Sequence, residues 1–335
     1  MKNNIVNVMK KNQFSGTALV RNHEDIIAEG SHGYANRSEQ LPNKENTRFG
    51  IASGCKIFTS VAICQLVEEG KLTFDTKLID ILDDNFPNFD RSITIHHLLT
   101  HTSGVPDYFD EEVMDDFEEL WKNTPMYHIR KLQDFLPLFQ NEPMKFNPGE
   151  LFHYNNGGYI LLGLVVEKLA GVTFTEYVIN NVFEKAGMND SGYFALDALP
   201  ANTAHGYIEN SDGTWRTNIY SLPVQGGSDG GAFVTTEDML KFWDALLKNK
   251  LLSEEMTKLL LTPHVHEDGN EFYGYGVWIS KKENGDILRY HVMGYDPGVC
   301  FHSVYYPEYS IKLAVCGNIS EGAFDLVEFI EEELL

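Results

Sequence analysis

The sequence predicts an α+β fold in which one antiparallel sheet, flanked by terminal helices, carries a mostly helical inserted subdomain. Three observations predict it. Two strand-like segments, Phe14–Arg21 and Ile26–Tyr34, follow a short amphipathic start. A run of strand-like segments and one last helix close the chain from 275 onward. Apolar segments of helical period fill the middle. Strands at both ends with helices between them pack most economically as one sheet with an insertion beside it. The expected division is a sheet subdomain of residues 1–62 and 225–335 and a helical subdomain of residues 63–224, together one domain.

The elements follow in order. Residues 1–12 read as an amphipathic helix. Phe14–Arg21 and Ile26–Tyr34 read as a hairpin turning over Asn22-His-Glu-Asp25. Residues 53–70 place Phe58, Val61, Ala62, Leu66 and Val67 at helical spacing, and Gly70 stops the helix. Ile93–His101 reads as a short helix ending at Ser103-Gly104, and 110–145 as mixed, acidic and aromatic, with helical stretches. Gly158–Gly171 and Thr175–Gly187 read as helices. Residues 205–222 read as turns and short strands, with Asp212-Gly213 as a hairpin signal. Thr236–Leu247 reads as a capped helix. Tyr275–Lys281, Ile287–Val292, Val299–Tyr306 and Ile311–Gly317 read as strands, and Phe324–Leu335 as the closing helix.

Composition removes several function classes. The chain of 335 residues has a formal net charge of −23 and no Lys/Arg cluster, so it lacks the basic footprint that nucleic-acid binding requires. No run of about 18 apolar residues marks a membrane span. The first twelve residues lack the apolar core of a secretory signal. Cys55, Cys64, Cys300 and Cys316 form no C-x-x-C pair and no zinc spacing. These features read as a cytoplasmic protein with reduced thiols, no nucleic-acid partner and no membrane partner.

Ser53-Gly-Cys-Lys56 is the stretch richest in chemistry. On a helix, positions i and i+3 share a face, so the Lys56 amine can reach the Ser53 hydroxyl without help from the rest of the fold. A serine attacking a carbonyl needs such a neighbour, because alone it is a weak nucleophile. A serine cap followed by a solvated lysine would read the same way locally. The second stretch is Phe152-His-Tyr154-Asn-Asn156-Gly-Gly-Tyr159, leading into a helix. Tyr154 is a candidate proton shuttle if nearby positive charge lowers its pKa from about 10. Asn156 can hold both a lysine and a substrate amide through its two-sided amide. The third is Tyr290-His291-Val-Met-Gly294-Tyr-Asp-Pro-Gly298, a glycine-bearing strand edge that a substrate backbone can approach. Its backbone N–H groups are candidates to join that of Ser53 in an oxyanion hole. His97 and His101 stand four apart, but no glutamate lies between them as in H-E-x-x-H and no third ligand is evident. Neither a metal nor another cofactor is expected.

Together these segments resemble the serine β-lactamase-like superfamily, in the branch of class C β-lactamases, penicillin-binding D,D-carboxypeptidases, D-aminopeptidases and related esterases. The resemblance runs from Phe14 to Gly317. It is carried by Phe14-Ser-Gly-Thr, Gly33-Tyr-Ala-Asn36, Phe49-Gly-Ile-Ala-Ser53-x-x-Lys56, Leu66-Val-Glu-Glu-Gly-Lys-Leu72, Leu98-Leu-Thr-His-Thr-Ser-Gly-Val105, Phe152-x-Tyr154-x-Asn156-x-Gly-Tyr159 and Gly230-Gly231. It implies a β-lactamase/transpeptidase-like fold, with Ser53 as acylated nucleophile, Lys56 as its activating partner, Tyr154 as base and Asn156 as positioning residue. Whether Lys56 or Tyr154 takes the serine proton stays open at this level.

The third box departs from the family pattern of Lys or His, then Ser, Thr or Gly, then Gly, shortly before Pro-Gly. Counting back from Pro297-Gly298 puts Val292-Met293-Gly294 there. His291 reaches the basic position only through a one-residue bulge, and on that footing His291 and Gly294 are expected at the substrate. The family uses this box partly to hold the carboxylate of β-lactams and D-Ala termini, so its erosion puts both activities in doubt. The expected function is a serine hydrolase acting through an acyl-enzyme on an ester, amide or β-lactam carbonyl of a small molecule or short peptide. The rival reading is a catalytically weak ligand-binding or sensor module on the same fold.

Overall fold

Alternation of side chains along the first strands sets the layers of the molecule. The computed structural model describes residues 2–82, 86–114 and 116–334. The segments expected at 1–12, 110–145 and 324–335 each include a residue outside that set. The strands are β1 (Gly16–Asn22), β2 (Asp25–His32), β3 (Tyr34–Asn36), β4 (Leu41–Pro42), β5 (Phe49–Gly50), β6 (Tyr207–Glu209), β7 (Trp215–Thr217), β8 (Phe233–Val234), β9 (Val265–Asp268), β10 (Glu271–Tyr273), β11 (Trp278–Lys281), β12 (Ile287–Asp296), β13 (Val299–Tyr306) and β14 (Ile311–Gly317). The helices are α1 (Lys2–Lys11), α2 (Lys56–Glu68), α3 (Ile95–Leu99), α4 (Asn156–Ala170), α5 (Phe174–Val178), α6 (Glu184–Ala186), α7 (Thr236–Leu247), α8 (Glu254–Leu260) and α9 (Ala323–Leu334).

The main sheet has eight strands in the order β2-β1-β14-β13-β12-β11-β10-β9. Its pairings are antiparallel throughout. First and last segments thus share one sheet, as their patterns predict. The pair β9–β10 and helix α8 were not legible: their exposed, charged residues, such as Val265-His-Glu-Asp268, lack an apolar alternation.

Each face of the sheet has its own core. Ala18 and Val20 point to one side, where they meet Val304, Leu313 and Val315, Ile5 and Met9 of α1, and Leu326, Val327 and Ile330 of α9. Leu19 points to the other, joining Phe301, Ala314 and Cys316 under α2, α4 and α7. Helix α2 is buried from Lys56 to Leu66 with no polar stripe, the mark of a helix enclosed on all sides. Lys56 is its one charged residue in that stretch, so the fold buries an ammonium. Helix α4 starts on the Asn155 side chain, which accepts from Gly158 N at 2.6 Å, and ends at Gly171 with φ +74°. The helix expected over Thr175–Gly187 is instead α5 and α6 joined by a π turn, Ile179–Phe183.

Among the described residues no single helix is long and apolar enough to cross a membrane.

Candidate active site

The site forms where α2 begins. Ala52 holds φ +45°, in the left-handed region, and opens a 3-10 turn, Ala52–Cys55, that runs directly into α2. A residue with a Cβ in that region costs about 1–2 kcal/mol, and such strain persists where surrounding structure fixes it. The turn presents Ser53 to a cavity and sets Lys56 one turn behind it.

Lys56 is 2% exposed. Its Nζ donates to Ser53 Oγ, to Asn156 Oδ1 and to the Asp229 carbonyl, each at 2.8 Å. An ammonium has three protons to donate, and all three are engaged. Burial by itself would lower the Lys56 pKa. The Tyr154 phenol and Asp229 outweigh burial and hold it above the ordinary lysine value.

Asn156 is the first residue of α4. Its Nδ2 donates to Phe109 O at 3.2 Å and to Glu111 Oε1 at 3.4 Å, which turns Oδ1 toward Lys56. Asp107 anchors this helix start, accepting from Asn156 N at 2.7 Å and Gly157 N at 2.9 Å. Burial still pushes the Asp107 carboxyl up to about 7.

Tyr154 lies with its ring centroid 4.8 Å from Lys56 Nζ. Burial raises its pKa, while the Lys56 charge and the neighbouring Ser53 hydroxyl pull it back. Its ring packs on His101 at 4.4 Å and on Trp278 at 6.2 Å between centroids. His101 has φ +56° and is buried, and its Nδ1 accepts from Asn155 N at 3.0 Å. Burial, aided by Lys56, drives its pKa well down, so this imidazole is neutral packing under the phenol. His97 completes the cap of α3 through Thr94. The two histidines therefore do different local work.

Gly294 meets the Ser53 turn from β12. A Cβ there would stand 2.8 Å from Ser53 N and 2.1 Å from Ile51 O, so only glycine fits. His291 is not in the cleft, contrary to the expectation from sequence. Strand β12 pairs with β13 from Tyr290 to Asp296 without a register shift, so the required bulge is absent. His291 is therefore opposite Val304, on the face covered by α1 and α9. There its Nδ1 lies 3.1 Å from His302 Nε2 and its Nε2 3.3 Å from Glu271 Oε2.

Ser53 opens onto a cavity of about 320 Å³ whose lining includes Tyr108, Glu111, Asn156, Asp229 and Asp296. Asp229 is buried, accepts a hydrogen bond from the Tyr108 hydroxyl, and is raised in pKa by burial against the pull of Lys56. The thiol of Cys55, between the two central residues of the motif, is buried and pushed up to about 12, which makes it inert packing.

The structure thus brings Ser53, Lys56, Tyr154, Asn156 and Gly294 together. Sequence reasoning missed Asp229, Asp107 and Trp278, and weighed His101 only as a metal ligand. Asp229 precedes Gly230-Gly231, which was singled out, but nothing local links residues 173 positions apart.

Comparison with known proteins identifies the family. A family model described as beta-lactamase matches residues 1–326. Penicillin-binding protein 4* of Bacillus subtilis (strain 168) is 31% identical over 330 residues, which are 93% of this chain and 70% of that protein. A crystal structure of a penicillin binding protein from Bacillus halodurans superposes with a TM-score of 0.95 at 62% identity, covering 98% of this chain and 100% of that one. An octameric penicillin-binding protein homologue from Pyrococcus abyssi gives a TM-score of 0.86 at 27% identity, covering 99% of this chain and 76% of that one. With the expected sheet and helices in place and the match running over nearly its whole length, the chain belongs to the beta-lactamase family.

Proposed function

We propose that this protein is a serine hydrolase that works through an acyl-enzyme, with Ser53 as nucleophile, on an ester or amide carbonyl of a small molecule or short peptide. The observation that carries the reading is the Lys56 ammonium 2.8 Å from Ser53 Oγ, fixed by two further acceptors. With all three protons donated, Lys56 acts as a fixed positive charge. Tyr154, in its ionised form stabilised by that charge, takes the Ser53 proton as Oγ bonds to the carbonyl carbon. Tyr154 then returns the proton to the leaving group as the carbonyl–leaving-group bond breaks. Water, deprotonated by Tyr154, attacks the acyl carbon, and Tyr154 returns that proton to Ser53 Oγ as the acyl–Oγ bond breaks. In this reading the N–H of Ser53 and one from the strand beyond Gly294 receive the developing oxyanion, each such donor being worth about 10²–10³ in rate.

The cleft lies between residues 1–62 with 225–335 on one side and 63–224 on the other, which we take as one catalytic domain. Four buried, unpaired cysteines suit a reducing compartment, and we place the protein in the cytoplasm.

The test is incubation with p-nitrophenyl esters, nitrocefin, a penicillin and a fluorophosphonate, followed by intact-mass analysis of the wild type and Ser53→Ala. A mass adduct on Ser53 and ester turnover, both lost in the variant, are expected. No adduct from any reagent, with a ligand still raising the melting temperature, would establish the binding-module reading instead.

A further inference from the structure

We infer that the Ser53 cavity selects substrates bearing a positive charge, an ammonium within a few bonds of the scissile carbonyl, and that Asp296 is the residue that reads it. This rests on the reading of Ser53 as the nucleophile; the carboxylates define no separate site but set the charge of that one.

The geometry comes from β12. Gly294 packs against Ser53 N, and side chains two apart on a strand point the same way. Asp296 therefore projects to the Ser53 side, about 6.6 Å further along the strand. It lines the cavity, and no described residue donates a hydrogen bond to its carboxylate or pairs with it. Glu111 and Asp229 line the same space, and among the described residues no Lys or Arg does. The ammonium that acts on it, Lys56, has no proton left to offer. Asp296 is pushed up to about 8 by burial and by Asp229 and Glu111, against the pull of Lys56. A cation is what this carboxyl lacks. A substrate carboxylate would instead meet three acidic side chains, with Val292 and Met293 offering neither charge nor hydroxyl.

The experiment separates this from the hydrolase reading. Benzylamine and benzoate, similar in shape and opposite in charge, are titrated into Ser53→Ala, which cannot turn over, by calorimetry at low salt and pH 8.5, where the Asp296 carboxyl is ionised. Expected is benzylamine binding tighter than benzoate by about tenfold or more. Adding Asp296→Asn should bring the two within about threefold, whereas Glu111→Gln, at the exposed mouth, should shift the ratio less. Equal binding, tighter benzoate, binding of neither, or a ratio untouched by Asp296→Asn overturns the inference. In parallel, a fluorophosphonate adduct on wild-type Ser53 tests the nucleophile. Its absence sinks the hydrolase reading while leaving the binding result to stand.

Discussion

In the mechanism proposed above, Lys56 and Tyr154 divide between them what one base does elsewhere. The amine is saturated with acceptors and stays charged, so in that mechanism the Ser53 proton goes to the phenol. Tyr154→Phe should lower kcat/KM for a neutral ester by about 10²–10⁴ with little change in melting temperature. The wild-type profile should climb by about tenfold per pH unit between pH 7 and 9, because the raised Tyr154 pKa lies above that range. A flat profile there would assign the base to another group. Asp296 makes a second prediction, about stability. Its folded pKa, about 8, lies above the unfolded value of 3.8, so the folded state binds a proton that the unfolded state has released across that interval. Folding stability from this group is present in acid and lost as pH rises toward 8. Asp296→Asn keeps the neutral form, so its melting temperature relative to wild type should increase from pH 5 to pH 8.5. A constant difference would contradict the burial of this carboxyl.

Two elements meet at Ser53, and their fit is tight. The strained turn at Ala52 and the β12 backbone at Gly294 approach until no side chain fits between them. Gly294→Ala should force them apart, costing about 1–3 kcal/mol of stability. Fluorophosphonate labelling of Ser53 should slow by at least about tenfold, since a small misplacement of reacting groups is costly. Labelling at the wild-type rate would show that the contact does not position Ser53. The start of α4 works similarly from the other side, with Asn155 capping the helix and Asp107 receiving its first N–H groups. That cap brings Asn156 to Lys56. His101, in a left-handed conformation, supports the same segment by accepting from Asn155 N.

For the whole molecule, charge is the dominant long-range term. A net charge of −23 repels itself in the folded state, so added salt should stabilise the protein. The melting temperature is expected to rise by a few degrees between about 10 mM and 200 mM NaCl, a range over which screening shortens from about 30 Å to under 10 Å. A fall would mean that ion pairs such as Arg289–Glu331, which ties α9 to the sheet, outweigh the repulsion. The same field works against anionic substrates before they reach the cleft, in line with the charge of its lining.

The sequence by itself determined the fold class, the terminal hairpin and closing strands, the helices at Ser53–Gly70 and Gly158–Gly171, and the pairing of Ser53 with Lys56. These follow from local periodicity and from an i, i+3 spacing that the backbone enforces. Tertiary structure alone decided the rest. Only the unbroken register of β12 on β13 turned His291 to the far face, since a single residue of slip would reverse every side chain. Only folding brought Asp229 to Lys56 and Asp296 to the cavity. Burial of an ammonium and several carboxyls together, which sets their protonation, is a property of packing between distant segments that no local spacing encodes.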